Sequence, residues 1–102
     1  MSKYVISEPQ FLRIFDKLMQ KELSQLKKKT NSSYPGWVFW LDNNDYPIFT
    51  YIPEHNAIDV YNVLFFRYQS IFDLSLSDFK KLMRKWLSDN LDLPTDIKVD
   101  FS

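Results

Sequence analysis

The chain has 102 residues, a usual size for one domain with its own core, and we expect residues 1–102 to form a single globular domain. Hydrophobic residues at 45% and charged residues at 25% are typical of a soluble protein, and the lack of cysteine excludes disulfides, a thiol nucleophile and a cysteine zinc site. The formal net charge of zero argues against strong general attraction to nucleic acid.

The first predicted element is an amphipathic helix. The capping box Ser7-Glu8-Pro9-Gln10 is followed by apolar residues three and four positions apart, which predicts a helix from Glu8 to about Lys28. Its last turn would hold Lys27, Lys28 and Lys29, because positive charge is favourable at the C-terminal end of a helix dipole.

A β-hairpin is predicted next, from the aromatic stretch YPGWVFWLDNNDYPIFTY. Strands over residues 37–42 and 46–52 would be joined by Asn43-Asn44, since asparagine tolerates positive φ. With a two-residue loop, the strand alternation puts these residues on one face of the sheet: Trp37, Phe39, Leu41 and Ile48. The other face would carry Val38, Trp40, Pro47, Phe49 and Tyr51.

Both faces of this hairpin are apolar, whereas a sheet with one wet face should alternate apolar and polar residues. Three explanations compete: helices cover both faces, the hairpin twists so that its ends pack around the edge of the core, or one face is left for a partner. Trp and Tyr are favourable anchors at interfaces. We therefore predict that a protein partner or a second copy of the chain docks on Val38, Trp40, Phe49 and Tyr51.

The second half of the chain predicts a strand, two helices and a last strand. A strand over residues 57–61 passes into a helix near Asn62, although residues 62–72 also suit a strand. Ser77 is the expected N-cap of a helix that runs to about Asn90, and alternation over residues 97–101 predicts a short strand. The order α-β-β-(β)-α-α-(β) indicates an α+β domain with an antiparallel sheet and helices packed on one face.

No catalytic, metal or cofactor site is predicted, and no family motif is recognised. The single histidine, His55, lies in a polar loop, which favours a solvent-exposed side chain over a catalytic or metal-binding role. Residues 42–45 read DNND but lack the glycine and distal glutamate of a calcium loop, so a turn explains them. An enzyme whose site assembles only in three dimensions stays open as a third alternative.

A basic stripe is predicted on the helix after Ser77. Lys80, Lys81, Arg84 and Lys85 lie opposite its apolar side, as on any solvated helix face. Together with the three lysines at residues 27–29 they would form one patch if the fold brings the two helices together. Such a patch would bind phosphates while rings such as Trp40 or Tyr51 stack on bases.

These patterns favour a small non-enzymatic protein-interaction module, such as an inhibitor, adaptor or assembly subunit. The alternative is a single-stranded nucleic-acid-binding protein that uses the lysines and exposed rings. The sequence has neither the apolar run of a signal peptide nor a membrane-length segment, so a cytoplasmic location is expected. Abundant Lys, Asn, Ile, Phe and Tyr suggest an AT-rich gene of a phage or low-GC bacterium.

Overall fold

A computed structural model of the protein describes residues 8–102. Ser7, the predicted cap of the first helix, lies outside the described residues. The elements in chain order are α1 (Glu8–Ser24), β1 (Lys27–Thr30), β2 (Val38–Leu41), β3 (Pro47–Ile52), β4 (Ala57–Val60), α2 (Val63–Phe72), α3 (Leu76–Leu91) and β5 (Lys98–Phe101). A 3-10 turn at Pro53–His55 joins β3 to β4. This arrangement confirms the predicted α+β class.

The five strands of the sheet lie side by side in the order in which they occur in the chain, β1-β2-β3-β4-β5. The first four strands are antiparallel to their neighbours, but β5 runs parallel to β4. The sheet is therefore mixed, whereas the sequence predicted an antiparallel sheet. The two helices between β4 and β5 form the long crossover that a parallel pair requires.

The lysine run at residues 27–29 belongs to strand β1 and not to the last turn of α1, which ends at Ser24. Two tight backbone bonds, from Gln25 N to Glu22 O (3.2 Å) and from Leu26 N to Leu23 O (3.0 Å), close the helix. Strand β1 then forms one edge of the sheet, where lysines are frequent because their charge opposes further strand pairing. A lysine run after an amphipathic helix suits both the last turn of that helix and an edge strand. The pattern therefore predicts a longer helix than the structure has.

The hairpin between β2 and β3 has a three-residue loop and not the predicted two-residue loop. The Asp42 and Tyr46 backbones pair across residues 43–45, with Asp42 N donating to Tyr46 O at 2.9 Å, and Asp45 takes the positive φ of 62°. A bulge then follows, because Trp40 pairs with Phe49 while Leu41 pairs with Pro47. The loop has one residue more than predicted and the bulge adds a second, so the strands beyond the bulge pair two positions away from the predicted register. A shift of two positions leaves each side chain on the same face of the sheet. The predicted division into two faces therefore survives except beside the bulge, where Pro47 pairs with Leu41 of the other predicted face and Ile48 is buried in the core.

All three helices in residues 8–102 bury their apolar stripes against the same side of the sheet, which we call the core face. The core cluster combines these helical side chains: Phe15, Met19, Leu64, Tyr68, Phe79, Met83, Trp86 and Leu87. From the sheet it takes chiefly Trp40, Phe49, Ile58, Val60 and Val99. Residues 8–102 thus form two layers, with the helices packed on one side of the sheet around one hydrophobic cluster.

The helices of the crossover begin and end close to the predicted positions. Helix α2 starts directly after Asn62, which confirms the helical alternative for residues 62–72. Helix α3 is capped by Ser75, whose Oγ accepts a hydrogen bond from the Asp78 backbone N–H at 3.1 Å. The predicted cap, Ser77, instead lies inside the first turn, so the cap prediction was wrong by two residues. No helix within residues 8–102 is long and apolar enough to cross a membrane.

Candidate functional site

The residues predicted to dock a partner lie on the core face. Trp40 is only 5% exposed and Phe49 is fully buried, while Val38 and Tyr51 pack against the same core. The helices cover this face because their own apolar stripes need burial. This corrects the expectation that these four side chains form an exposed surface, since in the folded chain they contact this chain's own helices.

The opposite side of the sheet, which we call the open face, is covered by no element of residues 8–102. Strand register aligns one row of side chains across all five strands: Lys29, Phe39, Thr50, Asp59 and Asp100. None of these residues belongs to the core cluster or packs against it. The row is positive at β1, apolar at β2 and negative at β4 and β5. The open face is therefore positively charged at one edge of the sheet and negatively charged at the other.

An aromatic cluster of Tyr34, Trp37 and Phe39 stands at one end of the open face. The ring centroids of Tyr34 and Trp37 are 4.8 Å apart, and Phe39 lies 6.2 Å from Tyr34 and 6.1 Å from Trp37. Trp37 and Phe39 are half-buried, and Tyr34 is 47% exposed. Three contacting, partly exposed rings present a rigid apolar surface of the kind found at interface centres.

The indole of Trp37 is held in place by Glu54. Its Nε1–H donates to both carboxylate oxygens, at 2.9 Å to Oε1 and 3.1 Å to Oε2. This hydrogen bond lowers the pKa of Glu54, with a smaller contribution from its own backbone N–H and from nearby His55. The bond links the segment before β2 to the 3-10 turn after β3, and so fixes the orientation of the largest ring in the aromatic cluster.

The loop that carries Tyr34 is shaped by local hydrogen bonds and by the chain's one glycine. Asn31 Oδ1 accepts from Ser33 N at 2.8 Å, and Trp37 N donates to Tyr34 O at 3.1 Å, which closes a turn. Gly36 has a φ of +82°, and a Cβ there would lie 3.1 Å from Pro53 Cγ. Glycine is required at this position because the turn needs the left-handed region and Pro53 leaves little space.

The two groups of basic residues predicted to form one patch lie at opposite edges of the sheet. Lys27, Lys28 and Lys29 occupy β1, whereas Lys80, Lys81 and Arg84 lie beside β5. Four strand spacings of ~4.8 Å put β1 and β5 about 19 Å apart. The fold therefore does not join them into one patch, because the first lysine group is on a strand and not on a helix that packs beside α3.

Several of these cations already have partners. Lys28 Nζ lies 5.8 Å from the Trp40 ring centroid, and Lys27 Nζ is 4.0 Å from Asp45 Oδ1. Lys85 pairs with Asp89 one helical turn later, at 3.1 Å. Lys85 is thus tied along the outer side of α3, while Lys80, Lys81 and Arg84 have no ion pair with another described residue.

Two tyrosines and one glutamate in the described part of the chain have shifted pKa values. The largest perturbation is at Tyr68, where burial and the neighbouring Glu22 carboxylate raise the pKa. The Tyr68 hydroxyl donates to Glu22 Oε2 at 3.1 Å, and Arg67 pairs with the same oxygen. These contacts join α1 to α2. Within residues 8–102 no three His, Cys, Asp or Glu side chains come together as metal ligands, and His55 is exposed.

Sequence alternation already grouped Trp37 with Phe39, but it missed Tyr34 and chose the other face for docking. The available signal was the Tyr-Pro-Gly-Trp turn, which places two rings just before a strand. Comparison with models of protein families, with curated proteins and with solved structures found no match for this chain.

Proposed function

We propose that this chain is a small non-enzymatic protein-interaction module, an inhibitor, adaptor or assembly subunit, that docks a protein partner on its open face. One observation supports the proposal: every buried apolar side chain of the helices in residues 8–102 belongs to the core cluster, which leaves the aromatic cluster partly exposed on the opposite side. Tyr and Trp are enriched among residues that contribute most to binding at protein interfaces.

The charges on the open face define the chemistry of the partner. Lys27 and Lys29 border the aromatic cluster on the β1 side, while Asp59 and Asp100 follow on the β4 and β5 side. A complementary partner surface has an apolar centre, carboxylates facing β1 and a cation facing β4 and β5. Such an arrangement sets the orientation of docking and speeds association.

Single-stranded nucleic acid is the competing ligand, because Lys29 pairs with Phe39 across strands β1 and β2 and so lies on the same face of the sheet. Lysines that contact phosphates next to rings that stack on bases are typical of such binders. The carboxylates of Glu54, Asp59 and Asp100 on the same face oppose a phosphate backbone, however, and the α3 cations are too distant to help. These features favour the protein partner.

A substitution at the centre of the open face distinguishes protein binding from nucleic-acid binding, because an added positive charge should weaken one and strengthen the other. Thr50 is half-buried on the central strand β3, and Thr50→Arg would add a cation in the middle of the row. We expect Thr50→Arg to reduce capture of the protein partner and to strengthen binding of a single-stranded oligonucleotide if any exists. Phe66→Arg is the matched control, because Phe66 is 60% exposed on α2, away from the sheet.

The measurement compares both variants with the wild-type chain in affinity capture from cells of the source organism. A captured protein that Thr50→Arg loses and Phe66→Arg retains supports the proposal, as does self-association with the same dependence in sedimentation velocity. Oligonucleotide binding that falls steeply between two salt concentrations, without any protein partner, would establish the nucleic-acid function instead. Equal capture by all three proteins would exclude the open face as the docking surface.

The cellular setting that suits this function follows from composition. A short chain without cysteine fits the reducing cytoplasm, and the AT-rich residue bias fits an accessory protein of a phage or low-GC bacterium. We propose both settings together with the interaction function, because small accessory proteins commonly act by occupying the surface of a larger protein.

A further inference from the structure

A second surface lies at the β5 edge of the sheet, away from the aromatic cluster. Strand β5 ends the sheet, and within residues 8–102 no strand pairs with its outer edge. Lys98 N donates to Asn56 O at 2.9 Å, and Ser102 N donates to Val60 O at 3.1 Å. Since a strand directs alternate backbone groups to alternate sides, Val99 and Phe101 turn their N–H and C=O groups outward.

Helix α3 runs beside this edge and leaves a groove of about 480 Å³ between helix and strand. The apolar part of the groove comes from Leu76, which is 45% exposed, and from Ile97 and Val99, which belong to the core. We call this space the edge groove. An unpaired strand edge beside a helix is a geometry in which extended peptides add to a sheet.

The edge groove is strongly cationic. Its lining includes Lys80, Lys81, Arg84 and Lys98 against a single carboxylate, Asp100. None of the four cations has an ion pair with another described residue, in contrast to Lys85, which pairs with Asp89. A concentration of unpaired positive charge in a concave surface attracts an anionic ligand.

The lining also discriminates between two classes of anionic polymer. No aromatic ring of residues 8–102 lines the edge groove, so bases would find no stacking platform among these side chains. The outward N–H and C=O groups of Val99 and Phe101, by contrast, match the hydrogen-bonding pattern of another peptide backbone. A peptide thus satisfies both the strand edge and the cations, whereas a nucleic acid satisfies only the cations.

We propose that the edge groove binds an extended acidic peptide segment of a protein partner, which adds to the sheet as a sixth strand beside β5. Alternate side chains of an added strand lie on the two sides of the sheet, and only the core-face side meets α3. The bound segment therefore carries an acidic residue at every second position, and these carboxylates reach Lys80, Lys81 and Arg84.

The test uses a labelled synthetic pentapeptide with Glu at the first, third and fifth positions and Thr between them. The double variant Lys81→Gln/Arg84→Gln removes two exposed groove cations, and Arg13→Gln/Lys17→Gln is the matched control, because it removes one exposed arginine and one exposed lysine of α1 that line neither the edge groove nor the open face. We expect the groove variant to weaken binding about tenfold in fluorescence anisotropy and the control to leave it unchanged, since each lost pair contributes modestly. Amide resonances of Val99 and Phe101 should shift on titration.

Two further probes keep the proposal open to refutation. A version of the peptide with N-methyl groups on the amides that face β5 should bind much more weakly, because methylation removes the strand hydrogen bonds. Equal binding of the methylated peptide, or equal weakening by both double variants, would reduce the interaction to general charge attraction and overturn the proposal. Binding of oligo-dT but not of the peptide would overturn it in favour of nucleic acid. None of these outcomes depends on the open face, so this test and the Thr50→Arg test fail or succeed separately.

Discussion

The substitution Trp40→Ala tests the assignment of the two faces of the sheet. Trp40 is 5% exposed, its ring lies edge-on to Phe49 at 6.4 Å between centroids, and Lys28 lies over it. If the core face is correctly assigned, truncation leaves a cavity beneath the helices. If Trp40 instead belonged to a docking surface, truncation would leave the stability of the isolated domain almost unchanged.

The expected cost follows from the buried area. A buried aromatic side chain removes ~150–250 Å² from water, which at ~25 cal/mol/Å² corresponds to about 4–6 kcal/mol. A compact unfolded state reduces this by ~10–40%, which gives about 2–5 kcal/mol and overlaps the ~3–5 kcal/mol typical of Trp→Ala in cores. For a domain of this size the melting temperature should fall by at least ~8 °C, since each kcal/mol corresponds to ~4–8 °C.

The matched control is Trp37→Ala, which removes the same side chain from the open face. Trp37 is half-buried and contacts chiefly Tyr34 and Phe39, so we expect a loss of about 1 kcal/mol. Urea unfolding followed by far-UV circular dichroism measures both variants without depending on tryptophan emission. A Trp40→Ala midpoint equal to or above that of Trp37→Ala would show that the faces are assigned the wrong way round.

Three further substitutions test local features. Ser75→Ala removes the cap of α3 and should lower the free energy of unfolding by about 1 kcal/mol in urea titrations. Ser77→Ala, at the cap position predicted from sequence, should lower it little. Similar losses in the two variants would contradict the assignment of Ser75 as the cap. Gly36→Ala should destabilise by about 1 kcal/mol or more in the same assay, since alanine is strained at a φ of +82°, and a neutral result would refute that backbone conformation. Trp37→Phe removes the indole donor and should raise the pKa of Glu54 in carboxyl NMR titrations. Because the pKa of Glu54 is lower in the folded than in the unfolded chain, this bond stabilises the fold at a pH above the unfolded pKa. The stabilisation is lost as the pH falls through the folded pKa. An unchanged Glu54 titration in Trp37→Phe would show that the bond is absent in solution.

Local patterns determined most of the elements. The spacing of apolar residues predicted α1, α2 and α3, and strand alternation predicted β5, because each pattern reflects the period of the element that it forms. Strand β1 escaped prediction because an edge strand buries little: all four of its residues are exposed, so no apolar alternation marks it. The predicted and observed α3 caps differ because serine occurs twice within three residues and only one position has the extended backbone of a cap.

Alternation along β2 and β3 also determined which side chains share a face, since the three-residue loop and the bulge at Ile48 offset each other. It could not determine which face lies under the helices, because both faces are apolar and aromatic. The tertiary structure decided that. Three amphipathic helices can bury their stripes against one another only if they share one side of the sheet, and a single contiguous core removes more apolar surface from water than two thin layers would. That choice buried Trp40 and Phe49 and left Tyr34, Trp37 and Phe39 on the open face.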